Sequence, residues 1–379
     1  MQLVAYGAQD VYLTGNPQIT FFKVVYRRHT NFAVEAIEQT FNGTPSKGAR
    51  ATVQITRNGD LVTKMYLKVS ITSTSENDVD CGYALIDSVE LQIGGTKIDK
   101  HYGHWMSVWT DLTTTDSARR SLDPMIGMIP DTGSEPRSVK DNNGATLFVP
   151  LQFFCCRNDG LALPLIALQY HDVRLEFQFA SAPTNVTSID TASLLVNYVY
   201  LDSEERKRFA QASHEYLIEQ LQYSSESVTA GATNKFRLNF NHPCKELIWT
   251  LQASSAAHHV LLASTDSAIL KLNGHDRFSS QPGAYFTNVV PHECHTANKP
   301  PNTDAADNIY SIQGIHCYSF ALNPEEHQPS GSCNFSRIDN AELQVAVNSS
   351  GTATSANIYA TNYNVLRIMS GMGGLAYSN

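Results

Sequence analysis

Residues 87–95, DSVELQIGG, and residues 266–274, DSAILKLNG, decide the fold of this 379-residue chain. In the first, Val89, Leu91 and Ile93 alternate with Glu90 and Gln92, the period of two that sets one side of a β-strand in a core and the other in solvent or an interface. Each stretch ends in a dipeptide, Gly94-Gly95 or Asn273-Gly274, suited to a two-residue hairpin, because both central positions of a type I′ turn need positive φ. The second stretch echoes the first at an offset of 179 residues. A repeat at that distance indicates a duplicated domain, since solenoid units recur roughly every 20 to 50 residues.

Further echoes follow in the same order. Gly103-His104-Trp105 is matched by Gly283-Ala284-Tyr285, Asp172–Phe177 by Asn340–Val345 at offset 168, and Asn197-Tyr198 by Asn362-Tyr363 at offset 165. The shrinking offset places the length difference in loops. Alternation also marks Val173, Leu175, Phe177 and Phe179, and again Phe236, Leu238 and Phe240; Asn58-Gly59 is a further hairpin signal. Many short strands separated by turns mean an antiparallel sandwich or barrel, here present twice. Leu91, Ile93, Leu175 and Phe177 are expected to match Leu270, Leu272, Leu343 and Val345 as inward residues. Between the copies, Asp202–Phe209 reads as a short linker helix, with an N-cap candidate, acids in the first turn and Glu204 spaced to pair with Arg208. In the N-terminal arm, Asn16-Pro17 signals a helix with Ile19, Phe22 and Tyr26 on one face. The basic cluster Lys23, Arg27, Arg28 and His29 suits a solvated or self-paired face, the commoner role of short charge runs, or contact with a membrane surface or an acidic protein.

Composition bounds the function. The length exceeds what one hydrophobic core usually fills, so two domains are the default. Charged residues make up 17%, against roughly 25% in an ordinary soluble protein. Such a deficit suits a molecule that hides surface against copies of itself. A net charge of −9 argues against direct nucleic-acid binding, which needs a basic face. The chain begins without a signal-peptide pattern and carries no apolar run near the ~20 residues that span a bilayer, so folding in the cytoplasm is expected. The seven cysteines lack disulfide-framework spacing and read as buried, reduced thiols, the adjacent Cys155-Cys156 as core packing.

Catalytic and binding signals are weak. His101 with His104, His258-His259 and His292-Glu293-Cys294-His295 lack the spacing of a β-sandwich metal site, and Pro291 marks the last group as loop. His101 and His104 read as packing residues. No nucleophile elbow or phosphate loop is present, and Gly371-Met372-Gly373-Gly374 reads as a flexible tail. No catalytic residue, metal or cofactor is assigned. Tyr102, Trp105 and Trp109, on one helical face, suit a core or interface, or a carbohydrate- or receptor-binding platform. Sequons stand at Asn42, Asn185, Asn334 and Asn348.

Four long strings carry a family resemblance: GAQDVYLTGNPQITFFKVVYRRHTNF from Gly7 to Phe32, LQFFCCRNDGLALPLIALQYHDVRLEF from Leu151 to Phe177, YSFALNPEEHQPSGSCNFSRIDNAELQV from Tyr318 to Val345, and ATNYNVLRIMSGMGGLAYSN from Ala360 to Asn379. Together they resemble the major capsid proteins of the nucleocytoplasmic large DNA viruses, above all those of algal viruses. The resemblance implies an all-β fold of two tandem eight-stranded antiparallel jelly rolls, a double jelly-roll, with short helices in loops and linker. Residues 1–26 would be an N-terminal arm, 27–202 the first jelly roll, 203–212 the linker helix and 213–379 the second. It implies a structural, non-enzymatic protein of the virion capsid, made and assembled in the host cytoplasm. Homotrimers would form pseudo-hexagonal capsomers of an icosahedral shell, touching neighbouring capsomers, minor capsid proteins and an internal membrane surface. The arm would lie at the inner face, turning Lys23, Arg27 and Arg28 toward an acidic partner or anionic lipid. Capsid proteins of this group can carry glycans at sites that need not follow the sequon rule. A minor capsid paralogue at a special lattice position remains an alternative, as does the carbohydrate-binding sandwich.

Overall fold

A computed structural model describes residues 7–73, 81–127, 145–183, 186–252, 265–297, 314–348 and 353–377. Nine strands come first: β1 (Phe32–Thr40), β2 (Arg50–Ile55), β3 (Leu61–Ser73), β4 (Ile86–Ile93), β5 (Thr96–Tyr102), β6 (Ala145–Pro150), β7 (Leu163–Pro164), β8 (Val173–Phe179) and β9 (Val186–Leu201). They make two antiparallel sheets, ordered β1-β9-β3-β6 with β7 beside β3, and β2-β8-β4-β5. The remaining strands are β10 (His214–Ser227), β11 (Thr233–Arg237), β12 (Pro243–Gln252), β13 (Thr265–Leu272), β14 (His275–Asp276), β15 (Gln281–Pro282), β16 (Ile315–Ser319), β17 (Cys333–Asn334), β18 (Ala341–Val347), β19 (Ser355–Met369) and β20 (Met372–Leu375). Their sheets are β10-β19-β12-β16, with β17 beside β12 and β20 beside β19, and β11-β18-β13-β14, with β15 beside β13. Taken in chain order, the two sets have the same connections. Each is a jelly roll of eight principal strands, the second having two short pieces, β14 and β15, where the first has β5.

The echoed residues stand at equivalent ladder positions. Val89, Leu91 and Ile93 face Phe177, Leu175 and Val173 across β4 and β8, while Ala268, Leu270 and Leu272 face Val345, Leu343 and Ala341 across β13 and β18. Even the irregularity repeats, between Ile86 and Ser88 in one copy and between Thr265 and Ser267 in the other. All the expected inward residues are buried except Leu272, which is half-buried beside its hairpin turn. The Gly-x-aromatic echo has a steric cause. A Cβ on Gly103 would lie 2.3 Å from the Ile86 carbonyl oxygen, and one on Gly283 would lie 2.2 Å from that of Thr265. In both copies the chain leaves the sheet across the start of the same strand, at a distance open to glycine alone.

Turns follow φ. Gly94-Gly95 (59° and 82°) and Asn273-Gly274 (52° and 79°) close hairpins as read from sequence. Asn58-Gly59 does not: it joins β2 in one sheet to β3 in the other, and Gly59 is small because a Cβ there would lie 2.8 Å from Tyr198. Ser370-Gly371 (52° and 79°) makes a further turn, and the segment expected to be a flexible tail is strand β20, paired along β19. Its glycine is structural, since a Cβ on Gly373 would lie 2.8 Å from Leu168. The alternation at Phe236 outlasts its strand: β11 ends at Arg237, yet Leu238 and Phe240 remain buried.

Helices are short and lie in connections: α1 (Asp10–Thr14), α2 (Cys81–Ala84), α3 (Gly103–Thr113), α4 (Asp116–Ile126), α5 (Phe154–Arg157), α6 (Ser203–Gln211) and α7 (Val290–Cys294). The linker helix α6 forms where expected, but Arg208 pairs with Glu205 at 3.7 Å rather than with Glu204, and Arg206 reaches Asp60 at 3.1 Å. The arm helix does not follow Asn16-Pro17. It precedes them as α1, Asn16 itself sits at φ 53°, and Ile19, Phe22 and Tyr26 are exposed. Short helices draw their stability from packing an apolar face, and among the described residues this face packs on nothing.

Two hydrophobic clusters fill the sandwiches, one around Leu67, Leu91, Leu175 and Phe177, the other around Leu247, Trp249, Leu270 and Leu343. Because Leu175 and Leu343 occupy equivalent core positions, Leu175→Ala and Leu343→Ala should each lower the unfolding free energy by about 2–5 kcal/mol in chemical denaturation. A loss below about 1 kcal/mol at either position, the range of tolerated surface changes, would contradict its placement.

Candidate functional site

The feature that sets this pair of sandwiches apart is a sheet whose two central strands have long stretches without a solvent face. Every residue of β12 from Cys244 to Leu251 is buried, on both sides of the pleat, and so is β19 from Ala356 to Asn364. Leu247, Trp249 and Leu251 point into the second core. Ile248 between them belongs, with Ile218, Tyr359 and Leu366, to the cluster of the first sandwich. The first core therefore continues across the domain boundary, and the seam between the jelly rolls is an interior.

Aromatic rings fill part of that seam. Tyr102 and His104 stack on each other and lie against Tyr223 at 4.6 and 5.0 Å, while Trp105 lies 5.0 Å from Tyr359. His104 Nδ1 is 2.5 Å from the Tyr359 hydroxyl. Trp105 and Trp109 on α3 are 0% and 5% exposed, so neither offers a face to a sugar, and the platform reading is withdrawn for these residues. Next to them Asp99 locks two strands together. Its Oδ1 accepts from the Lys100 and Leu221 backbone N–H groups at 2.8 and 3.1 Å, and its Oδ2 lies 2.8 Å from His101 Nε2. The Gln220 side chain donates to the Ile98 carbonyl.

An ion chain crosses the seam farther along. Arg157, at the end of α5 and 4.3 Å above the Trp109 ring, donates to Glu219 at 3.1 Å; the other oxygen of Glu219 holds Lys245 at 2.7 Å. Lys245 is fully buried. Arg157 and Glu219 also line a cavity of about 350 Å³ with Asp159, Glu325 and His327. A second polar group surrounds His295, whose Nε2 lies 3.4 Å from Glu246 and whose Nδ1 lies 3.0 Å from Glu325. Burial alone would lower the His295 pKa, but its contacts with Cys317 and with the Glu246 and Glu325 carboxylates raise it well above the ordinary value. Burial likewise works against the Glu325 charge, and the hydrogen bonds from His295 and Thr296 overcome it, holding this carboxyl below its usual range. Of these ions the sequence singled out His295 alone, and as part of a rejected metal group rather than as a partner of Glu246 and Glu325. The one further signal was Lys245-Glu246 inside the otherwise apolar run of β12.

The chemistry of the site is structural. Burial pushes the thiols of Cys244, Cys294, Cys317 and Cys333 up, and the Cys156 hydrogen bond followed by burial does so for Cys155, leaving them poor nucleophiles. Burial lowers His316 to about 4, so it is neutral near pH 7. His101 stacks on Phe153 at 4.6 Å and pairs with Asp99, a packing role. His292, Glu293 and Cys294 stand on α7, a helix with Pro291 in its first turn rather than the loop expected. Among the described residues no group of three His, Cys, Asp or Glu is placed to hold a metal ion. His258 and His259 lie outside the described residues, as does Asn185. Lys23, Arg27 and Arg28 are exposed on the arm and are not brought to the seam. Asn42 is exposed and its backbone bridges to Thr52; Asn334 is exposed, its side chain accepting from the Ser336 N–H at 3.0 Å; Asn348 is half-buried.

Comparison with known proteins gives one answer along the whole chain. Residues 20–202 match the family described as major capsid protein N-terminus, and residues 205–374 match that of the large eukaryotic DNA virus major capsid protein. The major capsid protein of Pyramimonas orientalis virus is 49% identical, covering 100% of this chain and 99% of its own length. That of Paramecium bursaria Chlorella virus 1 is 42% identical with the same coverage. The crystal structure of PBCV-1 VP54, fitted into a reconstruction of the virophage Sputnik, superposes with a TM-score of 0.81 at 37% identity, covering 95% of this chain and 100% of that one. The Faustovirus major capsid protein, 13% identical with a TM-score of 0.75, shares the fold.

Removing the carboxylate that bridges Arg157 and buried Lys245 strands a charge, so Glu219→Ala should cost about 3–5 kcal/mol of stability, and Glu219→Leu combined with Lys245→Met distinctly less, by denaturant titration. The His295 contribution has a defined pH course. A raised histidine stabilises fully below its ordinary 6.5 and loses that contribution as pH rises; a depressed carboxylate stabilises above its ordinary 4.5 and loses it as pH falls. The difference in melting temperature between the native chain and His295→Gln should therefore be largest between these two values and shrink on either side, and a difference that grows toward alkaline pH would contradict the pairing.

Proposed function

The chain belongs to the major capsid protein family of the large eukaryotic DNA viruses, and we propose from that premise that three copies close around a threefold axis into a pseudo-hexagonal capsomer of an icosahedral shell. Family membership makes it a structural component of the virion capsid and not an enzyme. What carries the step to the capsomer is the buried seam. Two jelly rolls with equivalent strand order, fused through a shared interior, form one rigid block with two similar wedges. Three such blocks present six similar edges to six neighbours. We take residues 1–26 as the arm, 27–202 and 213–379 as the two jelly rolls and 203–212 as the linker helix between them.

In this reading the partners are the chain itself, neighbouring capsomers, minor capsid proteins and an internal membrane surface, with no direct contact to nucleic acid and no cofactor. Lys23, Arg27 and Arg28, exposed on the arm, face an acidic protein or anionic lipid beneath the tile. Synthesis and assembly take place in the host cytoplasm. Asn42, Asn185, Asn334 and Asn348 stand as glycan positions, of which Asn42 and Asn334 are exposed. A second reading, a minor paralogue at a special lattice position, draws on size: alignments with relatives run over 528 and 591 positions for the 379 residues here, which fits trimmed outward loops.

Sedimentation of the intact chain should give a trimer of the 41.8 kDa subunit, and a stable monomer would contradict the capsomer. Deleting residues 2–26 should abolish shell formation, and normal shells from the truncated chain would contradict the role of the arm. Counting copies in purified particles separates the two readings, since the tile is the most abundant shell protein and a paralogue is not.

A further inference from the structure

The segment Ile19–Tyr26, ITFFKVVY, is composed as a strand and is not one. Its residues are β-branched or aromatic except Lys23, with no proline and a single charge. Yet it runs without regular structure, with Phe22 99% exposed and Ile19, Phe21, Val24, Val25 and Tyr26 exposed beside it. Such a segment left bare templates aggregation unless a sheet edge receives it.

An edge of that kind lies on the same molecule. Strand β1 ends its sheet, pairing with β9 along one side, and among the described residues no strand pairs along the other. Nine residues long, it leaves Phe32 60% and Val34 55% exposed. Those two side chains also form one wall of a groove of about 440 Å³ completed by Leu61, Val199, Leu201 and Phe209. Its charged lining is Asp159 and Glu205 together with Lys64, and Glu35 is exposed on β1. Glu205 already pairs with Arg208, which leaves exposed Asp159 in the groove and exposed Glu35 on the strand as the acids that Lys23, Arg27 and Arg28 of an arm can meet.

The arm of the same copy does not reach back to this edge. Ile19–Tyr26 makes no ladder with β1 of its own chain, whose partner is β9. We propose that Ile19–Tyr26 of one copy adds as a strand to the open edge of β1 in a second copy, its Phe22, Val24 and Tyr26 side chains lying over the groove. Main-chain hydrogen bonds to β1 supply the affinity, and the alternate side chains supply the register. This rests on the reading that copies of the chain assemble.

The test uses two differently tagged pools of the full chain, one carrying Phe22→Cys and the other Val34→Cys, assembled together, oxidised and mapped by mass spectrometry. A disulfide between positions 22 and 34 that joins the two pools is expected. In parallel, Phe21→Ser with Phe22→Ser should weaken assembly about tenfold or more, as loss of a central aromatic anchor does. Assembled protein without that bond overturns the docking while leaving assembly intact. A third variant carrying both substitutions is oxidised alone, and a bond that forms within that chain while none joins the two pools overturns the docking in favour of the chain's own arm. Protein that stays monomeric throughout contradicts the assembly reading and the docking with it.

Discussion

A β-sheet buried on both faces is the constraint from which the rest of this structure follows. The sheet β10-β19-β12-β16 has its own core on one side and the first jelly roll on the other, so its central strands are buried at consecutive positions instead of alternate ones, polar Lys245, Glu246, Thr250 and Asn362 among them. Separating the jelly rolls would expose Ile218, Ile248, Tyr359 and Leu366 together with the rings packed on them. At about 25 cal/mol for each Å² of apolar surface, even a modest part of such an interface holds the domains together. The duplication therefore produced one body, with the second copy specialised to be covered by the first.

Apolar contact alone would let two faces slide; the polar groups of the seam are satisfied at one docking only. Asp99 must meet the Leu221 N–H while its other oxygen faces His101, and Glu219 must stand between Arg157 and Lys245. A buried ion pair gains little over an apolar one, but a displaced one leaves uncompensated charge. The C-terminal hairpin adds a further tie, since the Tyr170 N–H donates to the Gly371 carbonyl at 3.0 Å and His171 contacts Gly373. Holding the two jelly rolls in one relative orientation is what the proposed capsomer requires of them.

The arm combines bare apolar side chains with a basic cluster. The aromatic seam is buried while Phe21, Phe22 and Tyr26 stand in solvent, apolar surface that a second copy covers under the proposed docking. The arm and the edge of β1 carry the same kind of unmet contact.

Sequence alone determined the duplication, the strand-rich architecture and the inward residues. Period-two alternation is a local consequence of the pleat, and the echo from Leu91 to Leu270 preserved even the ladder partners. It also contained the Gly103 and Gly283 signal, whose steric reason appeared only with the neighbouring carbonyl. Asn58-Gly59 misled because the same dipeptide serves a corner as well as a hairpin. The arm helix failed because a periodic apolar face forms a helix only against a partner. Tertiary structure alone decided which aromatic residues were seam and which were surface, and how Glu219 and His295 are partnered. Those pairs bring together residues 62, 26 and 30 positions apart, as in Arg157–Glu219, Glu219–Lys245 and His295–Glu325, and no local pattern encodes a contact that exists only once the chain has folded.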